Sequence, residues 1–146
     1  MAHVPTARQL VLAGWALDRE LGQRGPGAIV PAAQAACAAL YVRLTPLVTG
    51  SGSQGFLTRS LHLAQDQYPF LDGLRAGASP DTCLEGLDEA LRDVGSDDAY
   101  QALVLVLAHM IGLLATFIGD DLAMRILGEA WPDLPLESDE VQKEEA

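Results

Sequence analysis

Residues 47–65 read LVTGSGSQGFLTRSLHLAQ, and they admit two architectures. A β-prone run, Leu47-Val48-Thr49, enters a loop with glycines at 50, 52 and 55, and a helical pattern follows. In an α/β protein this order is strand, glycine loop, helix. Gly50, Gly52 and Gly55 would let the backbone approach a pyrophosphate at the helix N-terminus. In an all-α protein the same residues are a flexible link between two helices, with Ser53 as the N-cap. The preceding segment, Tyr41-Val42-Arg43-Leu44-Thr45-Pro46, carries a proline unsuited to a central strand. Everything downstream reads as helix. The link is therefore the expectation.

The run Val48-Thr49-Gly50-Ser51-Gly52 resembles the opening glycine motif of short-chain dehydrogenases. That resemblance implies a dinucleotide site on a parallel sheet and a Tyr-x-x-x-Lys catalytic pair. The pair is absent, because the only lysine is Lys143. The motif also opens that fold near its N-terminus, whereas helical pattern precedes it here. The resemblance stays confined to the loop and brings no catalytic residue with it.

Working outward, Thr6 caps a first helix over 6–23, with Leu10, Val11, Gly14, Trp15, Leu17 and Leu21 as its apolar stripe. Arg8, Asp18, Arg19 and Glu20 are expected to face water. Gln23-Arg24-Gly25-Pro26-Gly27 breaks it. Pro31 opens a second, alanine-rich helix that runs to Val48, with Pro46 near its end. A third helix covers 53–67. Phe56, Leu57, Leu61, Ala64 and Tyr68 point inward there, and Arg59, His62 and Asp66 outward. A short helical turn follows over 70–75. Ser79-Pro80-Asp81 then starts a fourth helix over 80–93, with Leu84, Leu87, Leu91 and Val94 opposite Asp81, Glu85, Asp88, Glu89 and Arg92. A last, long helix spans 97–130. The tail over 136–146 is acidic and without a core pattern, so it is expected to be disordered. The predicted fold is all-α: a compact bundle of five helices in one domain over 1–135.

Composition agrees. Apolar residues make up 49%, with few aromatics, which suits packed helices better than a β-sandwich. The net charge of −11 is uneven. Residues 1–75 carry six arginines against four acids, and residues 76–146 carry three basic residues against sixteen acids. Such a chain repels phosphate backbones and anionic membrane surfaces, which argues against nucleic-acid and membrane partners. Cys37 and Cys83 form no C-x-x-C motif and read as two small buried hydrophobes in a reducing compartment. The N-terminal MAHVPTARQL lacks an apolar core with a cleavage site, so a cytoplasmic location is expected.

Residues 102–121, ALVLVLAHMIGLLATFIGDD, hold no charge before Asp120 and are long enough to span a bilayer, which takes about 20 apolar residues. Acidic flanks and the mid-span His109 favour a bundle's central helix instead. Ala108, Gly112, Ala115, Gly119 and Ala123 form a small-residue stripe that invites close approach by a helix of this chain or of a second copy. Ala108-His109-Met110-Ile111-Gly112 resembles the His motif of histidine phosphotransfer domains. That resemblance implies an exposed phosphoryl-accepting histidine followed by Lys and then Gly. Here the Lys is missing and Gly112 arrives one position early. A buried or half-buried His109, hydrogen-bonded to a neighbour, is the expectation. His109 and Met110 point about 100° apart on a helix and cannot ligate one haem iron from opposite faces.

His62 and Asp66, at i,i+4 with Arg59 one turn earlier, read as a solvated polar face or an interaction surface, since two ligands do not make a metal site. Asp120 and Asp121 either start a further helix at Gly119 or pair with Arg125. No catalytic, cofactor or metal residues are assigned. The expected function is a non-catalytic, regulatory protein-interaction module that self-associates and has an unidentified protein partner. The alternatives are a bundle binding a small apolar ligand and a nucleotide enzyme using the 50–55 loop.

Overall fold

The computed structural model describes residues 5–25, 27–47, 50–77 and 83–134. The expectations for the 136–146 tail, for Pro26 and for the start signal at Ser79-Pro80-Asp81 lie outside them. Helix accounts for 76% of the described residues, so the chain is all-α, as predicted. The helices are α1 (Ala7–Arg24), α2 (Ile29–Leu44), α3 (Gly50–Gln65), α4 (Leu87–Ala90), α5 (Ser96–Ile118) and α6 (Asp120–Ala130). A 3-10 turn covers Pro69–Gly73, and two residue pairs, β1 (Arg75–Ala76) and β2 (Leu84–Glu85), make a minimal antiparallel ladder.

Helix α1 forms where expected because its first turn is satisfied from within. Thr6 Oγ1 accepts from the Gln9 N–H at 3.1 Å, and Gln9 Oε1 accepts from the Thr6 N–H at 2.9 Å. Its buried face is Leu12, Ala13, Ala16, Leu17 and Glu20, one position round from the predicted stripe. Leu10 and Val11 are exposed. Glu20, expected in water, is buried against Arg19 and Arg24, which supply the opposite charge that a buried carboxylate requires.

Helix α2 stops at Leu44 rather than Val48. Pro46 has no N–H to extend the ladder, and residues 45–47 are turn. Helix α3 then starts at Gly50, so the glycines sit in its first turns and not in a link. Ser53 is fully buried inside the helix and is no N-cap.

The predicted fourth helix fails at its centre. Gly86 has φ +86°, and a Cβ there would meet the Gly73 carbonyl oxygen at 2.8 Å. The chain takes a left-handed step that only glycine makes freely. Residues 84–85 before it become β2, and only one helical turn follows. Gln34 of α2 fixes this ribbon: its Oε1 accepts from the Leu84 N–H at 3.2 Å, and its Nε2 donates to the Leu84 carbonyl. The inward side of the stripe survives, with Leu84, Leu87 and Leu91 buried.

The predicted 97–130 helix is two helices. Gly119, φ +91°, ends α5 and starts α6, which was the alternative reading of Asp120-Asp121. The Asp121–Arg125 pairing is not among the ion pairs of the described residues. Helix α5 occupies the centre, packed against α1, α2, α3 and α6. It is one helix long and apolar enough to cross a membrane, yet 67% of its apolar window is buried inside the bundle, the behaviour of a core helix. Ala108 and Gly112 are buried within the chain itself, whereas Ala123 belongs to α6. His109 is buried at 2% exposure, as expected.

Candidate functional site

Two contacts set the orientation of the helices. Tyr100, near the start of α5, donates to Asp18 in the later part of α1 at 2.7 Å. At the other end, Arg8 Nη2 of α1 lies 3.4 Å from Met124 Sδ of α6. Helices α1 and α5 are therefore antiparallel. A second core of Leu44, Leu114, Ala123 and Ile126, with Phe56 against it, brings the end of α2 and the beginning of α3 to the α5–α6 corner.

The exposed large apolar side chains of the described residues are Leu10, Val11, Val42, Leu47, Phe117 and Leu122. They lie on the first half of α1, the end of α2 and the turn after it, the last turn of α5 and the first turn of α6. Val11 and Phe117 are each 64% exposed. Between α3 and α5 lies an open groove of about 360 Å³, lined by Phe56, Arg59, Leu113, Thr116 and Phe117. Among the described residues, the ion pairs involve Arg19, Arg24 and Arg75, so Arg59 beside the groove is unpaired. The far end differs. Asp88, Glu89, Asp93, Asp97 and Asp98 are exposed there, around α4 and the start of α5. The α5–α6 corner thus combines exposed apolar side chains and the unpaired Arg59 with Asp120 and Asp121, whereas the start of α5 is mainly acidic.

His62 and Asp66 face solvent on α3, as predicted, and line an open cleft of about 450 Å³ with Gln65, Pro69 and Asp72. Among the described residues, no three His, Cys, Asp or Glu side chains gather at metal-binding spacing. The glycine reading of a nucleotide site loses its scaffold, since residues 41–44 are helix and 45–47 are turn, where the motif needs a strand. His109 is enclosed by the core and presents no surface to a phosphodonor.

One juxtaposition has no counterpart in the sequence reading. Cys37 and Cys83 are both buried and free, as expected, but they are also neighbours, because the Cys83 sulfur lies 3.9 Å from the carbonyl oxygen of Gln34, one helical turn before Cys37. Hydrogen bonding to Cys83, with burial and the nearby Cys83 charge, pushes the Cys37 thiol well above its ordinary range. The same bond holds the Cys83 thiol below its own. A helix over 80–93 concealed this contact, because β2 is what carries Cys83 onto α2.

No protein-family model, curated protein sequence or solved structure matches this chain.

Proposed function

We propose that this chain is a non-catalytic helical module that docks another protein through the apolar end of its bundle, and that a second copy of itself is one such partner. The observation that supports it is that the exposed large apolar side chains, Leu10, Val11, Val42, Leu47, Phe117 and Leu122, all sit on segments leading to the α5–α6 corner, where Phe117 lines an open groove. Scattered exposed leucines are ordinary on a protein surface; apolar side chains concentrated at one place mark an interaction site. The groove under Phe117 gives a partner's apolar side chain somewhere to enter, and Arg59 at its edge favours an acidic residue next to it. The acidic far end of a second copy meets that requirement in charge, and so does an acidic amphipathic segment of another protein.

Sedimentation velocity over a range of concentrations tests this. The wild-type chain is expected to show reversible association. Phe117→Glu and Val11→Glu are expected to remain monomeric with unchanged helix content. A wild-type chain that stays monomeric removes self-association. A partner protein bound equally well by both variants removes the apolar end as the docking face.

A further inference from the structure

Cys37 and Cys83 are far apart in sequence, yet both sulfurs are buried in the core at the same stretch of α2. Cys37 lies mid-way along α2, and its Sγ is 3.9 Å from Met110 Sδ of α5. Cys83 immediately precedes β2. Its Sγ is 3.9 Å from the Gln34 carbonyl oxygen and 3.8 Å from Gln34 Oε1. Gln34 is one helical turn before Cys37, so the Gln34 clamp on Leu84 also seats the Cys83 sulfur beside the next turn of α2. Two free buried thiols thus sit at one turn of α2, one on a rigid helix and one at the edge of a two-residue ribbon, an arrangement that a disulfide could join.

We propose that Cys37 and Cys83 are a dithiol oxidation site, which a small hydroperoxide converts into a disulfide bridging α2 and β2. The Cys83 thiolate attacks one peroxide oxygen and the O–O bond breaks. The departing oxygen takes up a proton and leaves as water or an alcohol, and Cys83 becomes a sulfenic acid. The Cys37 sulfur then attacks the Cys83 sulfur and the S–O bond breaks. The hydroxide leaves with the Cys37 proton as a second water. The two thiols have lost two protons and two electrons, and the peroxide has gained them. Cys83 is the attacking sulfur, because the hydrogen bond from Cys37 favours its thiolate. Burial of both thiols selects a small oxidant over a protein disulfide. The product staples the 83–90 segment to α2, beside the clamp that Gln34 makes on Leu84.

The test is intact-mass spectrometry of the reduced full chain after treatment with hydrogen peroxide, with thiols counted under denaturing conditions. The expected result is a monomer lighter by about 2 Da, with both thiols lost together and restored by a reductant. Cys37→Ser is expected to accumulate a Cys83 sulfenic acid that dimedone traps, while Cys83→Ser leaves Cys37 untrapped. The wild-type mass decides the outcome even if either variant folds poorly. Two thiols that persist in peroxide that oxidises a free cysteine overturn the proposal. So does a product limited to sulfinic acid or to disulfides between chains.

Discussion

Tyr100 of α5 donates a 2.7 Å hydrogen bond to Asp18 of α1, locking the start of the central helix to the later part of the first. The phenol is partly buried, and its oxygen lies 3.6 Å from where a Cβ on Gly14 would be. Burial, and then the Asp18 hydrogen bond and charge, push its pKa from 10.0 up to about 12. A phenol whose pKa rises on folding stabilises the folded chain while it is protonated. That contribution is complete below pH 10 and disappears as the pH climbs to about 12. Melting temperature followed from pH 9 to 12 is expected to fall more steeply for the wild type than for Tyr100→Phe. Parallel curves would show that the Asp18 bond contributes nothing to the pH response.

Gly86 and Gly119 both have positive φ but differ in surroundings. At Gly86 a Cβ meets the Gly73 carbonyl oxygen at 2.8 Å, while at Gly119 nothing lies within 4 Å. Gly119→Ala meets no neighbour but puts a Cβ at φ +91° and ψ 155°, a region that only glycine enters freely, and is expected to cost about 1–3 kcal/mol. Gly86→Ala bears left-handed strain and a backbone clash, and is expected to cost about 2–3 kcal/mol. Urea titration of the two variants measures both losses. A loss at Gly86 no larger than the left-handed strain alone, about 1 kcal/mol, would mean that the turn moves freely away from Gly73.

These two glycines also explain where sequence reading stopped. Thr6, Pro46 and the apolar spacing of α1, α2 and α3 are local signals, and the elements they mark form within a few residues of expectation, as does the start of α5. Gly86 sits at a position that a helical stripe tolerates, and nothing local announces that Gly73 will press against it. The same holds for Gly119 inside an apolar run. Once 80–93 is taken as helix, Cys83 becomes a residue on a helix face and its contact with Cys37 cannot be foreseen. The docking end was equally hidden. Leu10 and Val11 satisfy helical periodicity as well as Leu12 and Ala13 do, and only the neighbours of α1 decide which pair is buried. His62 and Asp66 were legible as exposed because charged spacing on one face needs no partner to interpret.

Gln34 is a single side chain that replaces a missing strand. It satisfies both the N–H and the carbonyl of Leu84, groups that a two-residue ladder leaves open. Gln34→Ala leaves them without that partner in a buried setting and is expected to cost about 1–3 kcal/mol. Hydrogen exchange at the Leu84 amide is the direct readout, and it should speed up far more than exchange in the middle of α5. Unchanged exchange at Leu84 would show that the ribbon is held by its apolar packing alone.

The docking end predicts a separation of stability from association. Phe117 and Val11 are largely exposed, so Phe117→Glu and Val11→Glu give up little buried area and are expected to change stability by no more than about 0.5 kcal/mol. Leu17, farther along α1, is fully buried, and Leu17→Ala is expected to cost about 2–5 kcal/mol. If the apolar end binds protein, the two surface variants lose association while keeping their melting temperature. Leu17→Ala keeps association at temperatures where it remains folded. A surface variant that lost both together would mean that Phe117 or Val11 supports the bundle, and the apolar end would then be structural rather than a place of contact.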